Sequence, residues 1–374
     1  MRRRFLLYIM VICFPLLGGC GMLPGSYPRL EQLRIVQALG VDSAGSGLRL
    51  TLATAAGDAS AKDAVCLSAE GPSLAAALSR AQSRSTEETL FCGHIRQLLV
   101  GEDVPLEPLL ETVCRSADLR LDMPLYLLRG SSAEALMTGA GSGSRAITEV
   151  LNAVRGELDS RSDSRAYTAG QILQDLQRQG SALLFVLRSG MAAEHTEGAD
   201  RARTALPAGF AVVKDGAVCS WLGTEALLGV SLLRNRFGVQ ELTIADRKGI
   251  PATLELRQGS SRVRPVWDED GTLRGLDITV RFAASLLETG ESPLSEPYID
   301  DLTARLESAV SERLRVLLTR SKSLQADFLG LGPRVEAASP LAFRRLETPF
   351  PELLPKLEIS LTVQSRILHE YDLQ

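Results

Sequence analysis

The sequence has few of the side chains that catalysis and metal binding use. Its 374 residues contain three histidines and six cysteines, and no cysteine pair has the CxxC spacing of a zinc or redox site. His94, His195 and His369 lie in separate sequence contexts, so a shared imidazole site is not expected. His94 precedes an apolar run, where a structural histidine is commoner than a general base. We expect no enzyme activity, no bound metal and no cofactor.

A second absence is that of a loop built to bind phosphate or activate a serine. The stretch "GAGSGSR", residues 139–145, is rich in glycine, but it lacks the lysine and the hydroxyl residue that complete a P-loop. Arg145 stands where the final glycine of a nucleophile elbow would be. We interpret this stretch as a loop without chemistry.

The chain also lacks an excess of positive charge. The chain carries 41 lysines and arginines against 45 acidic residues, a net charge of -4. Without the arginines at positions 2, 3 and 4 the net charge is -7 (-4 minus 3). No basic stripe is evident along the chain, so we expect neither nucleic acid binding nor electrostatic attraction to anionic lipid.

No apolar run reaches the roughly twenty residues that a membrane-spanning helix needs. The chain begins instead with three arginines and a shorter apolar run, the pattern of an export signal. Leu17, Gly18 and Gly19 precede Cys20 and resemble a bacterial lipobox, in which the cysteine is lipidated and becomes the first residue. We predict a signal peptide over 1–19, a lipid anchor on Cys20 and a tether over 20–30.

The cysteines that follow the signal peptide do not indicate a disulfide framework, because a domain of this size does not need disulfides for its stability. We expect buried free thiols, with Cys92 and Cys114 the least improbable pair if a disulfide forms. The cysteines concerned are Cys66, Cys92, Cys114 and Cys219.

Hydrophobic periodicity predicts a mixed sheet-and-helix region over 31–188. "GLRLTLAT" alternates as a strand does, and "GPSLAAALSRAQ" and the segment with Leu106, Leu109, Leu110 and Val113 have helical spacing. Residues 189–206 have no apolar period and are predicted to be a linker.

The region 207–374 shows a different pattern. Asp215–Gly216 and Asp270–Gly271 each separate two apolar runs, a strong hairpin signal. A helix is predicted from about Glu296 to Phe328, with Gly330 as its C-cap. The predicted fold class is therefore α+β (mixed α/β) and multidomain, with a C-terminal antiparallel sheet packed on one long helix.

Taken in order, these stretches resemble the Ger(x)C lipoproteins, the C subunits of bacterial spore germinant receptors. The resemblance rests on the lipobox and on "LRIVQALGVD", "GHIRQLLVGED", "LLETVCRSADLRL", "GFAVVKDGAVCSWLGTEAL" and "LQADFLGLG". It covers nearly the whole chain. The residues that match its motifs are Cys20, Gly93, His94, Arg115, Asp327, Phe328 and Gly330, all but Cys20 interpreted as structural or interfacial.

The resemblance implies a receptor subunit that catalyses no reaction and is held by lipid on the outer face of the inner spore membrane. Its implied partners are two integral membrane proteins, the A and B subunits. It also implies three domains, which would split the first region near residue 130. The germinant, and any contact of this subunit with it, are not indicated by the sequence.

Two other functions fit a lipoprotein of this size. A solute-binding lipoprotein serving a membrane transporter should have two similar α/β lobes around a cleft. A lipid-anchored hydrolase of the cell envelope should have a base close to a nucleophile.

Overall fold

The fold is described from a computed structural model, which describes residues 32–54, 66–85, 88–140, 147–191, 203–290 and 295–368. The predicted signal peptide, Cys20 and the tether lie outside these ranges, as do His195, His369 and most of the glycine-rich stretch 139–145.

The larger of two sheets has nine strands in the described ranges. They are β1 Leu33–Ala44, β2 Gly47–Thr54, β3 Cys66–Gly71, β4 Thr89–Phe91, β5 Gln97–Gly101, β6 Leu125–Leu128, β7 Ser181–Met191, β8 Arg203–Lys214 and β9 Ala217–Leu222. Their order is β3-β2-β1-β5-β6-β7-β8-β9, with β4 paired to the start of β1. The central strands β1, β5, β6 and β7 are parallel, and antiparallel hairpins flank them.

Helices cover both faces of this sheet, which explains why β5 and β6 are buried along their whole length. On one face lie α1 Leu74–Arg84, α2 Leu106–Arg115 and a later helix, α5. On the other face lie α3 Ala133–Ala140 and α4 Ile147–Arg161; α5 spans Ala169–Gln179. The predicted apolar face of α2 is confirmed, since the four residues that define it, Leu106, Leu109, Leu110 and Val113, are buried.

The second sheet has four described strands in the order β10-β11-β12-β13. They are β10 Gln240–Ala245, β11 Pro251–Trp267, β12 Leu273–Glu288 and β13 Glu358–Leu368. The helices of this part are α6 Ala226–Leu233, α7 Glu296–Leu324, α8 Leu331–Ala338, α9 Pro340–Phe343 and α10 Phe350–Leu353. The long helix α7 buries Leu302, Leu306, Val310 and Leu314 against this sheet. The predicted fold class is confirmed.

One strand direction differs from the predicted antiparallel sheet. β13 lies parallel to β12, from the pair Gly275↔Glu358 to the pair Ser285↔Leu368. The chain makes this parallel return by way of α7 and the short helices, as a parallel connection requires a long crossover.

The turn at Asp215–Gly216 has the predicted hairpin geometry. Both residues have positive φ, 52° and 79°, as a two-residue type I′ turn requires. Lys214 and Ala217 pair across it.

The predicted linker over 189–206 is wrong where the structure describes it. β7 and β8 pair antiparallel from Ser181↔Lys214 to Met191↔Arg203, so the ends of the supposed linker are strands of one hairpin. These strand ends consist of polar and small residues, so they show no apolar period that would predict a strand. They are strands nonetheless, because their backbone groups pair with the neighbouring strand.

The two sheets also share a core, so residues 207–374 are not a separate structural unit. β8 and β9 belong to the larger sheet. One hydrophobic cluster includes Leu151 of α4, Phe210 of β8, Leu306 of α7 and Ile367 of β13. A split near residue 130 would likewise pass through one sheet, since β6 and β7 are paired neighbours.

The end of the long helix also differs from the prediction. α7 ends at Leu324, and Gln325 with φ 49° is its left-handed cap. Gly330, predicted as that cap, has φ 69° and immediately precedes α8.

Candidate functional site

The motif residues that lie in the described ranges fall in two separate places. Asp327, Phe328 and Gly330 form the turn between α7 and α8, where α5 and α6 also meet; we call this place the junction. Gly93, His94 and Arg115 lie near a groove between α1 and α2. The structure therefore does not bring the predicted residues together into one site.

At the junction, the carboxylate of Asp327 binds the start of α8. Its Oδ1 accepts a hydrogen bond from the backbone N–H of Leu331 at 2.8 Å, and its Oδ2 accepts one from Gly332 at 2.6 Å. The first N–H groups of a helix have no partner within the helix. Asp327 therefore supplies the acceptors that an N-cap side chain usually supplies.

Burial gives this carboxyl group unusual acid–base behaviour. Asp327 is only 1 % exposed, and burial raises the pKa of its carboxyl group to about 7. The two backbone donors and, more weakly, Arg234 act in the opposite direction, while Asp175 adds to the rise. Desolvation outweighs the two backbone donors and Arg234 because it penalises the charged form of a buried carboxyl group.

The end of α5 holds the same turn from the side of the larger sheet. With its amide turned so that the nitrogen faces Asp327, Gln179 donates to the backbone oxygen of Asp327 at 2.6 Å and to Oδ2 at 3.1 Å. Arg178 forms an ion pair of 2.5 Å with Glu336 of α8. Lys214, at the end of β8, donates to the last carbonyl of α7, that of Leu324, at 3.1 Å.

A buried ion pair joins α5 to the end of α6. Asp175 Oδ2 accepts from Arg234 Nη2 at 2.6 Å, and both side chains are 10 % exposed. Gln171 donates to the other carboxylate oxygen at 2.9 Å. Removing either charge would leave the other buried without its partner, which destabilises proteins strongly.

Arg334 of α8 completes the junction by binding α6 and β11. Its Nη1 donates to the Leu233 carbonyl at 2.6 Å and to Ser261 Oγ at 2.9 Å, and its Nη2 donates to the Ser261 carbonyl at 2.5 Å. Burial lowers the pKa of Arg334 from its ordinary value. Phe328, 2 % exposed, packs in the shared core beneath this network.

Of the junction, the sequence predicted only Asp327, Phe328 and Gly330, and its other residues were missed. Asp175 and Gln179 follow Ile172 at helical spacing on the buried face of α5, and a polar residue in such a stripe indicates a buried partner. Arg234 and Arg334 carried no comparable signal, because their acceptors come from distant segments of the chain.

The second place is an apolar groove of about 980 Å³. Leu33, Leu74, Leu78 and Leu119 are among its lining residues, and Arg115 lies at its edge. Arg115 is exposed and forms an ion pair of 3.0 Å with Glu111 of the same helix.

Gly93 and His94 do not line that groove; their neighbour Phe91 does. The exposed ring of His94 meets Phe91 edge-on at 5.5 Å between ring centres. A Cβ at Gly93 would lie 3.0 Å from the end of the exposed Phe91 ring, so the ring would have to shift to admit a side chain there. The arrangement is one of packing around Phe91.

The four cysteines in the described ranges are free thiols, and one of these four is fully buried. Cys92 is buried and Cys66 is half-buried, whereas Cys114 and Cys219 are exposed, which corrects the expectation that all four are buried. Burial raises the pKa of the Cys92 thiol to about 11, so it is a poor nucleophile at neutral pH.

Among the described residues there is no group of three or more histidine, cysteine or acidic side chains placed to hold a metal ion. Nor does any helix in those ranges combine the length and apolarity of a membrane span. What the junction offers chemically is a set of structural hydrogen bonds around one buried carboxyl group, that of Asp327.

Comparison with known proteins identifies the family. Residues 26–189 match the family described as the spore germination protein N-terminal domain. Residues 208–370 match the family described as spore germination B3/GerAC like, C-terminal. A search of curated proteins gave no match.

A solved structure shares the fold. The crystal structure of the GerBC protein superimposes with a TM-score of 0.57 at 14% sequence identity, and the match covers 91% of this chain and 100% of that one. The residues between the two matched ranges, 190–207, fall within the hairpin of β7 and β8, so the larger sheet continues across both domain families. With both domains present in order and the fold shared, the chain belongs to the Ger(x)C family, the germinant receptor C subunits.

Proposed function

We propose that this protein is the lipid-anchored C subunit of a spore germinant receptor, needed for receptor assembly and signalling, and that it catalyses no reaction. The observation that carries the proposal is the ordered match of the two domain families over residues 26–189 and 208–370. Its partners would be the A and B integral membrane subunits, and it would lie on the outer face of the inner spore membrane.

The proposed anchor is Cys20, which follows the predicted signal peptide. Acyl chains contribute about 0.8 kcal/mol per buried methylene, and two signals hold a protein stably where one does not. A lipidated cysteine would keep the folded body beside its membrane partners.

A role without catalysis is supported by how the unusual side chains are used. Among the described residues, Asp327 has the carboxyl group whose pKa best suits acid–base chemistry. That carboxyl group already accepts two backbone hydrogen bonds and is buried. His94 is exposed and contacts Phe91. Neither stands beside a nucleophile in the described contacts.

The solute-binding alternative has less support. It requires two similar lobes around a cleft, whereas here a nine-stranded mixed sheet and a four-stranded sheet share one core. Domains that share a core do not close on a ligand as two lobes joined by a hinge do.

Affinity purification from spore membranes tests the proposal. We expect the full chain with a C-terminal tag, solubilised in mild detergent, to recover the A and B subunits together. The Asp215→Asn variant serves as a control that should recover the same subunits, because asparagine also suits positive φ in this exposed turn. Recovery of the chain without either membrane subunit, or with a transporter and its solute, would contradict the proposal.

A further inference from the structure

The apolar groove between α1 and α2 has a volume of about 980 Å³, at the upper end of the range of about 300–1,000 Å³ that ligand pockets have. Leu74 and Leu78 of α1 line it, as do Leu90 of β4 and Leu119, which follows α2. A segment that carries apolar side chains would remove them from water in this groove.

The described part of the chain begins at this groove. Leu33, the first residue of β1, lines the groove and pairs with Thr89 of β4, which lines it too. The described chain starts one residue before Leu33, at Gln32. The residues that precede Gln32 in the sequence are therefore joined to the chain at the rim of the groove.

Two apolar residues of that preceding segment, Tyr27 and Leu30, are within reach of the groove. An extended chain covers at most about 3.5 Å per residue, so Leu30 lies within about 10 Å of the start of β1 and Tyr27 within about 21 Å. The α1 residues that line the groove extend from Leu74 to Gln82, about 12 Å along the helix axis. Both side chains can therefore contact the groove along its length.

Pro28 reduces the entropy cost of holding this segment in the groove. A proline fixes its own φ and disfavours the helical conformation of the residue before it, here Tyr27. A segment whose backbone is already restricted loses less conformational freedom on binding. Extended segments that contain proline are recurrent ligands of apolar grooves.

Charge also matches between the groove and the segment. Asp118 lines the groove and is exposed, and its carboxylate has no ion-pair partner within the described ranges. Arg115, also at the groove, already pairs with Glu111. The segment supplies a positive charge at Arg29, between its two apolar residues.

The family match includes this segment. The N-terminal domain family covers residues 26–189, so it begins six residues before Gln32, at position 26. A spacer without contacts has no fixed place in a domain, whereas a segment that packs on the domain does. The extent of the match thus supports residues 27–31 as part of the folded domain.

We propose that residues 27–31 of this chain dock in the groove between α1 and α2, with Tyr27 and Leu30 against its leucines. Arg29 then lies near Asp118. The segment is favoured over a separate molecule because a short connection to β1 gives it an effective concentration in the millimolar range.

This inference goes beyond the receptor role, and docking itself does not depend on lipidation. Combined with the proposed anchor at Cys20, it leaves residues 21–26 as the spacer, at most about 21 Å long. A short spacer that starts at the groove determines which side of the folded body turns towards the membrane.

Photochemical cross-linking tests the proposal on the full chain in mild detergent. A photoreactive benzophenone amino acid replaces Tyr27 and keeps an aromatic ring at this position. After irradiation, mass spectrometry of the digested chain maps the cross-links. We expect links from position 27 to residues 74–82 and 112–119. A mixture of isotope-labelled and unlabelled chains separates links within one chain from links between two copies.

A matched pair of variants locates the docking surface. Ala75→Glu places a charge in the groove, and Ala153→Glu places one on α4, on the other face of the larger sheet; both alanines are exposed. Ala75→Glu should lower the linked fraction roughly fivefold, because a charge beside apolar side chains opposes their burial. Ala153→Glu should change it less than about twofold.

Three results would overturn the proposal. Links between two copies would show that a second chain occupies the groove. Links to other parts of the chain, or none, would show that residues 27–31 do not dock there and that lipid, detergent or another molecule can fill the groove. Equal losses in the two variants would show no role for the groove. Circular dichroism checks that each variant is folded, and Ser79→Glu, also exposed in the groove, replaces Ala75→Glu if that variant is not.

Discussion

Replacing Asp327 with asparagine isolates the carboxyl group that binds the start of α8. The asparagine side chain keeps one oxygen acceptor but cannot ionise. The pKa of the Asp327 carboxyl group is about 7 in the folded protein, compared with about 3.9 in an unfolded chain. The parent protein and Asp327→Asn should therefore differ most in how the free energy of unfolding depends on pH.

The sign follows from proton binding. Between these two pKa values the folded state holds a proton that the unfolded state has lost. Stability from Asp327 is then fully present below about pH 4 and is lost as pH rises through about 7. From pH 5 to pH 7.5 the loss amounts to about 2.5 kcal/mol, while Asp327→Asn loses none of it through this group.

Asp327→Ala should behave differently, because it removes both acceptors. The N–H groups of Leu331 and Gly332 would remain buried without partners, at about 1–3 kcal/mol each. We expect a loss of roughly 2–6 kcal/mol at pH 5, with α8 the first element to exchange its amide hydrogens. The loss relative to the parent protein should shrink as pH rises, because only the parent carries the titrating carboxyl group.

Urea unfolding of the full chain at several pH values, followed by circular dichroism, measures these differences. Asp215→Asn is the control, since Asp215 is exposed in a turn, and it should follow the parent protein at each pH. The reasoning is refuted if Asp327→Asn and the parent show the same pH dependence, or if the parent gains stability relative to Asp327→Asn as pH rises.

Three further predictions concern the turn, the anchor and the division of the chain. Gly330→Ala should destabilise the protein by about 1–2 kcal/mol in a thermal unfolding assay, because Gly330 has φ 69°. In the same assay Gly156→Ala should stabilise the protein by about 0.5–1 kcal/mol, because Gly156 lies in α4 with open space where a Cβ would be. Cys20→Ala should leave the membrane fraction after a wash in about 0.5 M salt in spores that lack the partner subunits; retention would disprove the single covalent anchor. A fragment of residues 205–374 should unfold in urea without cooperativity, because β8 loses its pairing with β7; a sharp transition would show that the fragment has a core of its own.

Local elements were predictable because their signals are local. The apolar spacing of Leu106, Leu109, Leu110 and Val113 identifies α2, and Asp215–Gly216 identifies a hairpin. Both signals depend only on residues within a few positions of one another. The family resemblance was likewise carried by short stretches in a fixed order.

Long-range pairing was not predictable in the same way. The alternation in β13 indicates a strand, but it is identical for parallel and antiparallel neighbours, so the parallel pairing with β12 left no mark in the sequence. The same holds for the shared core, since nothing local tells which sheet β8 will join.

Deletion of the gene in a spore former tests the central claim, the receptor role, most directly. Nutrient-triggered germination and the abundance of the A subunit should be measured together in the same spores. If the protein is the C subunit of the receptor, both should be lost and both should return when the gene is restored. Normal nutrient germination in the deletion strain would contradict the receptor role.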